Sequence, residues 1–480
     1  KIKSGEITEH SLHYRWLDRQ HNPVWINCRG DVILDEFNKP LYLIGCVNEI
    51  GKRQKADNIS GLLREPCLEE YVSSKSKNNI TGYFMQIGID DFDEINGRFG
   101  LKCGDEILKQ FSMCMQSCIN ENQKIYELGN GRFIIMDLAN HSKEDILELY
   151  DELKKSVEVA LEENVYRVVY TISVGIVEID KEMKDYDTLI KYSDFALNEA
   201  KKKGKNSCYF FTQDKYKQFI RRREIRVELQ NAVDHNFKNF DVYYQPIIDI
   251  HTRNLIGAEA LMRFKMKRNE QIEFISPAEF IPILEESGLI IPAGRWILRQ
   301  AVACCKKWQE FIPEFKVNVN LSYVQIIKSK ILDEIKQALK DFNLKPALLG
   351  IEVTESGYLE NTYHYKKLWS SLKEEGITLI LDDYGTGYSN AYRLSDLTPH
   401  YIKIDRVLTQ KALSSNYERS ILIYIIEMAH SLKLNVCIEG VETEEELQEI
   451  KKLNPDYIQG YLFGKPAPED EFYNRQIKKK

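Results

Sequence analysis

The sequence lacks the features that would place it in several familiar classes. Its ten cysteines include no CxxC pair, so neither a zinc ribbon nor a dithiol redox motif is indicated. No apolar run approaches the roughly 20 residues that a membrane-spanning helix needs, and the start shows no signal peptide. The net charge of −7 lacks the basic excess of a nucleic-acid binder. We therefore expect a cytoplasmic protein with reduced thiols that binds no nucleic-acid polymer.

The length of 480 residues is too great for one ordinary hydrophobic core and predicts two to four domains. The chain starts with Lys1 rather than with methionine. We therefore expect a fragment of a longer protein, and membrane attachment through a missing N-terminal part stays open.

Changes of pattern along the chain predict an α/β protein of several domains. A β-rich stretch at the start is typical of three antiparallel strands, and a mixed α/β region follows it. A charged segment of helical pattern then leads to a long region in which strands and helices alternate. The predicted divisions are residues 1–50, 51–213, 214–235 and 236–475.

The alternating region is typical of a (β/α)8 barrel. Eight apolar strand candidates fall within about 240 residues, and helical stretches separate most of them. The first two candidates read VYYQPIID and LIGAEALMRF, and the last two read NVCIEGVE and YIQGYLFG. We expect a TIM-like barrel with its active site at one rim.

Polar side chains stand at or near the ends of these strands, where a barrel builds its active site. They are Glu259, Asn320, Glu352, Asp382, Asp383, Lys403, Glu439 and Gln459. Five are carboxylates, which repel one another unless hard cations such as Mg²⁺ or Mn²⁺ lie between them. Such a cluster can hold two ions that activate water for displacement at phosphorus. A single acid of this kind is more often a solvated strand end, so the prediction depends on the whole set.

A series of motifs in this region resembles the EAL domain family of cyclic di-GMP phosphodiesterases over about residues 225–470. The motifs are YYQP at 243–246, GAEALMRF at 257–264, SPAEFIP at 276–282, GRW at 294–296, NLS at 320–322, EVTE at 352–355, DDYGTGYSN at 382–390, KID at 403–405, EGVE at 439–442 and QGYLFGKP at 459–466. Their number and order make the resemblance specific. Tyr384, Asn390 and Ile438 depart from the usual residues, which bears on fine tuning rather than on the chemistry.

The resemblance implies a role for each rim residue. The first metal ion would be held by Glu259, Asn320, Glu352 and Asp382, and the second by Asp382, Asp383 and Glu439. Lys403 would bind the attacking water, Glu439 is the candidate base, and Glu355 would steady the loop 383–388, which couples dimer contacts to the site. The residues expected to contact substrate are Gln245, Leu261, Arg263, Asp405, Glu442 and Gln459.

The mixed α/β region resembles the GGDEF domain, whose active form makes cyclic di-GMP from GTP. The resemblance lies in residues 90–108, 173–175 and 193–206, but the signature turn reads Gly129-Asn130-Gly131-Arg132-Phe133. Gly131 and Arg132 replace its acidic residues and Gly88 replaces another metal ligand, so we expect no cyclase activity. The positions that bind guanine and phosphate in the family hold Asn96, Asp105, Lys201 and Lys205. GTP is therefore a candidate effector, although a turn residue and a solvated helix end explain these side chains equally well.

The N-terminal stretch resembles the C-terminal half of a PAS sensor domain at residues 14–16, 24–25 and 40–47. The half that would hold a ligand pocket is missing from the chain. The signal that this region would perceive is therefore left open.

Three functions are compatible with these domains. The leading hypothesis is metal-dependent hydrolysis of cyclic di-GMP to linear pGpG, regulated by a cyclase-inactive GGDEF domain that binds GTP as an allosteric activator. The alternative is a catalytically inactive module that senses cyclic di-GMP and GTP, which the complete set of rim residues argues against. A cyclase is argued against by Gly88, Gly131 and Arg132. The resemblance also implies a bacterial source and a homodimer formed through the barrel.

Overall fold

The structure is a computed structural model of the chain, and two compact units compose it, Lys1–Phe219 and Ile220–Lys480. It describes residues 9–17, 23–34, 40–50, 56–75, 81–139, 141–162, 168–180, 185–268, 270–354, 362–385 and 398–478.

The first unit begins with a three-stranded antiparallel sheet in the order β1-β2-β3. The strands are β1 (Glu9–Leu17), β2 (Pro23–Leu34) and β3 (Pro40–Ile50). Both pairings are antiparallel, so the predicted meander is confirmed. The likeness to a PAS domain stays a prediction.

The rest of this unit is a six-stranded mixed sheet in the order β4-β6-β7-β5-β8-β9, with helices on both faces. The strands are β4 (Leu63–Arg64), β5 (Gly82–Ile89), β6 (Lys124–Gly129), β7 (Arg132–Asp137), β8 (Ile172–Ile179) and β9 (Cys208–Phe210). The helices are α1 (Glu65–Lys75), α2 (Phe92–Phe99), α3 (Leu101–Cys118), α4 (Lys143–Glu162) and α5 (Tyr186–Lys202).

Strand β5 shows why this sheet needs helices on both faces. Its side chains alternate between two separate apolar clusters, because Met85 and Ile87 belong to one and Phe84 to the other. Apart from Gln86, the central strand therefore reads as an apolar run, as expected for a strand that is covered on both sides.

Helix α6 (Gln213–Asp234) fills the place of the predicted charged linker. Ile225 and Leu229 on this helix are buried in the core of the second unit. The basic pattern around Arg221 is typical of a solvated helix face. In the structure, Arg221 instead forms ion pairs with Glu273 and Glu279.

The second unit contains a closed barrel of eight strands, which confirms the predicted barrel fold. The barrel strands are β10 (Phe240–Asp249), β11 (Leu255–Arg268), β13 (Lys316–Asn320), β14 (Leu349–Thr354), β15 (Thr378–Tyr384), β16 (Tyr401–Ile404), β17 (Asn435–Glu439) and β18 (Tyr457–Gln459). Short strands β12 (Gln271–Ile275) and β19 (Ala467–Pro468) pair with β11 and β10 outside the ring. All eight strand candidates lie in the barrel.

The first barrel strand runs against the other seven. Strand β10 pairs antiparallel with both β11 and β18, whereas the pairs from β11 through β13 to β18 are parallel. Because the ends of the seven parallel strands share one rim, side chains far apart in sequence meet there. Gly257 permits a close approach at the start of β11, since a Cβ atom there would lie 2.5 Å from the carbonyl oxygen of Lys316.

The helices of this unit alternate with the strands. They are α7 (Pro277–Ser287), α8 (Ile290–Trp308), α9 (Tyr323–Lys328), α10 (Ile331–Phe342), α11 (Thr362–Glu374), α12 (Arg406–Ser414), α13 (Asn416–Ser431), α14 (Glu444–Lys451) and α15 (Glu469–Phe472), and a π-helical turn, Tyr473–Ile477, follows. None of the helices described in either unit combines the length and apolarity that crossing a membrane requires.

Candidate functional site

A buried lysine lies at the centre of the polar rim. The ammonium nitrogen of Lys403, which is 1% exposed, contacts carboxylates from four other strands. Its distances are 3.0 Å to Glu259 Oε2, 3.0 Å to Glu352 Oε2, 3.3 Å to Asp382 Oδ1 and 2.7 Å to Glu439 Oε1. One positive charge thus lies inside a ring of acids that span 181 positions of the sequence, from 259 to 439.

Side-chain amide groups donate hydrogen bonds to Glu259, one of these acids. Asn320 Nδ2 donates to Glu259 Oε1 at 2.7 Å, and Gln459 Nε2 donates to Glu259 Oε2 at 2.7 Å. The same Gln459 nitrogen lies 3.1 Å from Gln245 Oε1. Both oxygens of Glu259 are therefore fixed by donors, which makes its orientation rigid.

A second layer of polar side chains lies one step below the rim, and the sequence analysis missed it. Asn318 Nδ2 donates to Glu352 Oε1 at 2.8 Å and also contacts the hydroxyl of Tyr401. Asn318 lies two residues before Asn320, and Tyr401 two residues before Lys403, so each pair shares one face of its strand. The alternation in KVNVN and YIKI is the signal that could have revealed this layer.

A β-bulge brings two neighbouring aspartates to the same place. The register of β15 against β16 shifts between Leu381 and Tyr384, and Asp383 adopts a left-handed φ of 57°. In a regular strand, Asp382 and Asp383 would point to opposite faces. The bulge re-aims one of them, so that both line the same cleft.

The surroundings shift the pKa values of these acids in different directions. Burial raises the pKa of Glu352 well above its usual range, and the charge of Glu259 adds to the effect. Burial likewise raises the pKa of Glu439 to about 8 and that of Asp383 to about 6. Burial acts in the same sense on Glu259, but Lys403 and the amide of Gln459 outweigh it and lower its pKa. The ring therefore carries more acid groups than one ammonium can balance.

The donor set fits hard divalent cations. Glu259, Glu352 and Asp382 each offer one oxygen, and these oxygens lie within 4.8 Å of one another. Carboxylate and amide oxygens are the ligands that Mg²⁺ and Mn²⁺ prefer. The buried Oε1 of Gln459 has no hydrogen-bond partner among the residues that the structure describes, so an acceptor remains available beside the ring.

Two clefts open at the rim. One has a volume of about 660 Å³ and is lined by Leu261, Arg263 and Asn320 together with both aspartates of the bulge. The other has a volume of about 260 Å³, and three acids of the ring line it together with Lys403 and other polar residues. That lining includes Gln245, Glu259, Leu261, Asp382, Lys403, Arg406, Glu439, Glu442 and Gln459.

The other residues expected to contact substrate differ in their local contacts. Arg263 lies over the ring of Tyr243 at 5.5 Å, and it is half-buried in the larger cleft. Glu442 pairs with Arg406 at 2.7 Å. Asp405 caps helix α12 by accepting from the backbone N–H of Val407, which explains this residue without a ligand.

Glu355, Asn390 and residues 386–388 of the loop 383–388 lie outside the described residues. The expected role of Glu355 in steadying that loop therefore stays a prediction. Tyr384, the other departure near this loop, is buried at the end of β15.

The turn at residues 129–133 of the first unit contains an arginine that forms an ion pair. Arg132 contacts Asp194 at 3.5 Å, and Gln86 donates to the same carboxylate at 2.6 Å. Gly131 has a left-handed φ of 70°, and a Cβ atom there would lie 2.9 Å from the ring of Phe92. An acidic side chain at position 131 would therefore be strained by the backbone conformation and by contact with Phe92.

The four residues expected to bind GTP occupy different environments. The Oδ1 atom of Asn96 is buried and unpaired among the described residues, and Gly104 leaves room for it, since a Cβ atom there would lie only 1.9 Å away. Asp105 is exposed. Lys201 Nζ lies 3.2 Å from where a Cβ atom on Gly88 would be, so its ammonium lies directly over this glycine.

Lys205 differs from the other three because an acid already engages it. Its ammonium pairs with the carboxylate of Asp91 at 2.6 Å. A phosphate would have to compete with this pair, which is exposed to solvent.

Comparison with known families agrees with the geometry. Residues 226–466 match the EAL domain model, which covers just over half of the 480 residues, and the chain belongs to the EAL domain family. Residues 55–207 match the model described as diguanylate cyclase, GGDEF domain.

Two relatives to which the chain is similar are longer proteins. The chain is similar to the signaling protein YkoW of Bacillus subtilis, with 31% identity over 399 residues that cover 82% of this chain and 48% of YkoW. It is also similar to the cyclic di-GMP phosphodiesterase PdeR of Escherichia coli, with 27% identity covering 95% of this chain and 68% of PdeR. The chain thus spans between about half and two thirds of the length of these two relatives.

A solved structure titled as the cGMP-bound form of the EAL enzyme Bd1971 is similar to the chain. The TM-score is 0.50 and the identity 25%, and the match covers 62% of this chain and 80% of that one.

Proposed function

We propose that the barrel hydrolyses cyclic di-GMP to linear pGpG with the help of divalent cations. The observation that carries the proposal is the buried ring of Glu259, Glu352, Asp382 and Glu439 around Lys403. Membership of the EAL family and similarity to PdeR, whose name states this activity, support the choice of substrate.

The ring is better suited to catalysis than to packing. Buried acids that raise one another's pKa values cost stability, and a structural core would replace them with apolar groups. Perturbed acids gathered at the active rim of a barrel are typical of a reaction site. A binding module would need phosphate-contacting cations rather than this excess of carboxylates.

The cations would be held by Glu259, Asn320, Glu352 and Asp382 at one position and by Asp382, Asp383 and Glu439 at the other. Bound there, they would neutralise phosphate charge and lower the pKa of a bound water so that it can attack phosphorus. The bulge in β15 matters for this arrangement, because it supplies two adjacent aspartates to one cleft.

The protein's own groups orient the reactants. Lys403 is held among four carboxylates, so its ammonium is placed to hold the attacking water and to limit repulsion within the ring. Glu439, whose pKa is raised to about 8, is the candidate base for that water. Arg263, at the wall of the larger cleft, can pair with a phosphate of the substrate.

The test is product formation. Purified chain incubated with cyclic di-GMP and Mg²⁺ should yield a product that co-elutes with linear pGpG on anion-exchange chromatography. If cyclic di-GMP binds to the chain but is recovered unchanged, the result would instead support the inactive sensing module.

We further propose that the GGDEF domain lacks cyclase activity and responds to GTP. Asn96, with its unpaired buried oxygen, and Lys201, with its ammonium over Gly88, support nucleotide binding without a carboxylate-bound metal. Helix α5, which carries Lys201, packs through Phe195 against Tyr216 and Phe219 of helix α6, with ring centroids 5.2 Å apart in both cases. A ligand on α5 could therefore bias α6.

Incubation of the chain with GTP and Mg²⁺ is expected to produce no cyclic di-GMP. The variant Gly131→Glu is also expected to remain inactive, because Gly88 still lacks a carboxylate and position 131 is strained for a side chain. Chromatography with an active cyclase as positive control checks this. Product from the unmodified chain would contradict the account of the signature turn.

GTP is expected to accelerate hydrolysis of cyclic di-GMP, provided that it binds two conformational states of the chain unequally. The measurement is a GTP titration in the hydrolysis assay with wild type and with Asp105→Ala, which should lose the response. Asp187→Ala is the matched control and should keep the response to GTP. Asp187 is an exposed acid in the first turn of helix α5, at the opposite end of that helix from Lys201. A wild-type rate that is independent of GTP would remove the proposal, and an equal response of Asp105→Ala would place the GTP site elsewhere.

The proposed homodimer rests on the family resemblance. Residues 386–388 of the loop 383–388, which would couple a dimer contact to the site, lie outside the described residues, so the geometry of such a dimer stays a prediction.

A further inference from the structure

The two oxygens of Glu352 face different partners. Oε2 lies 3.0 Å from Lys403, on the side of the acid ring, and Oε1 accepts from Asn318 at 2.8 Å, on the side of the layer below. The side chain of Glu352 is fully buried, so bulk solvent does not hydrate its carboxylate in the folded chain. The orientation of this carboxylate therefore depends on Asn318.

Asn318 is itself held from two directions. Its amide nitrogen also contacts the hydroxyl of Tyr401 on β16, so one nitrogen bridges a carboxylate and a phenol. On β14, the residue opposite Asn318 is Gly350, and a Cβ atom there would lie 2.2 Å from Asn318 Oδ1. The neighbouring strand thus accommodates the amide only because it carries glycine at this point.

The side-chain amide of Asn318 borders a cavity, so packing against neighbouring atoms does not fix it on every side. A cavity of about 150 Å³ in the lower layer of the barrel is lined by Asn318 and Tyr401, among other polar residues. With open space beside it, the amide keeps its orientation through its hydrogen bonds to Glu352 and Tyr401.

We propose that Asn318 and Tyr401 are positioning residues that hold Glu352 in the orientation needed to bind a divalent cation. Neither residue lines the two clefts at the rim, so neither is placed to touch substrate or cation. They act through Glu352, as groups that hydrogen-bond to metal ligands generally do. This inference rests on the proposed metal-dependent function, and it adds two residues that the sequence motifs leave out.

The test measures cation binding directly, without turnover. Mn²⁺ binding to metal-free protein is followed by electron paramagnetic resonance for wild type, Asn318→Leu, Tyr401→Phe and the double variant. Asn318→Leu is expected to weaken Mn²⁺ binding by about 10- to 100-fold, because the branching of the side chain at Cγ is kept while the donor to Glu352 is lost. Tyr401→Phe, which removes only a hydroxyl, is expected to have a smaller effect.

The double variant separates positioning from general damage. Because Tyr401 acts through Asn318, the double variant should bind Mn²⁺ no more weakly than Asn318→Leu alone, whereas additive losses would contradict the proposed chain of contacts. Ile247→Val is the matched control, since Ile247 is buried in the same apolar cluster as Tyr401 and lines the same cavity, but its side chain has no hydrogen-bond donor for Glu352. Its Mn²⁺ affinity should be unchanged even if its melting temperature falls.

Unchanged Mn²⁺ affinity in Asn318→Leu and Tyr401→Phe, with a lower melting temperature, would overturn the proposal and leave these residues a structural role. If Asn318→Leu does not fold, Tyr401→Phe decides the matter by the same criterion. Failure of wild type to bind Mn²⁺ would contradict the proposed function itself, so the two failures are distinguishable.

Discussion

Removal of divalent cations with a chelator is expected to abolish hydrolysis of cyclic di-GMP, and addition of Mg²⁺ or Mn²⁺ is expected to restore it. The reason is the charge of the site, in which three buried carboxylates and the partly exposed Glu439 surround one ammonium and Asp383 lies beside them. A substrate with two phosphates adds further negative charge. Without cations, repulsion would oppose binding, and no group of the ring would strongly activate a water.

The measurement is the rate of pGpG formation after dialysis against chelator, followed by titration with each cation. Circular dichroism of the metal-free protein is the control for folding, because the lost activity should return without refolding. Ca²⁺ makes a useful comparison, since it prefers longer bonds and higher coordination numbers than Mg²⁺. Full activity in excess chelator, with residual metal excluded by elemental analysis, would contradict the cation requirement.

Glu259→Gln is expected to lower the rate of hydrolysis by a factor of a hundred or more, on the order of ~10². The substitution keeps the size of the side chain and removes its negative charge. Glu259 also receives hydrogen bonds from Asn320 and Gln459 and contacts Lys403, so its loss disturbs several groups at once. The measurement is kcat at saturating Mn²⁺, alongside the Mn²⁺ affinity.

Glu449→Gln provides the matched control for this variant. Glu449 is an acid of the same unit that pairs with Arg419 and Lys452 at the surface. The same change of charge there should leave the rate close to that of wild type, because exposed ion pairs contribute little. Turnover by Glu259→Gln at the rate of this control would contradict the assignment of the site.

The sequence predicted the barrel strands well because strands buried on both faces read as continuous apolar runs. All eight candidates lie in the closed barrel. The reversed direction of β10 could not be predicted from the pattern, since the period of a strand is the same in both directions. Short helices such as α9 were also missed, because α9 has only six residues and depends on a capping box formed by Ser322 and Gln325.

The rim residues could be named from the sequence, but their partners could not. Chain position placed Glu259 and Lys403 at strand ends, whereas the four contacts of Lys403 required the closed ring. The bulge at Asp382 and Asp383 also depends on the pairing of β15 with β16, which is 17 residues away in sequence, from 384 to 401. Asn318 was not predicted because it lies one layer below the strand end. Its spacing of two residues from Asn320 does indicate that both side chains lie on the same face of the strand.

Turnover and binding of cyclic di-GMP on the same purified preparation test the central claim most directly. Equilibrium binding is measured with Ca²⁺, and product formation is then followed by chromatography after addition of Mg²⁺ or Mn²⁺. The account predicts metal-dependent conversion of the bound cyclic dinucleotide to linear pGpG, with many turnovers per chain and none in Glu259→Gln. Cyclic di-GMP that binds but is recovered intact with either metal would contradict the account and identify the barrel as a sensing module.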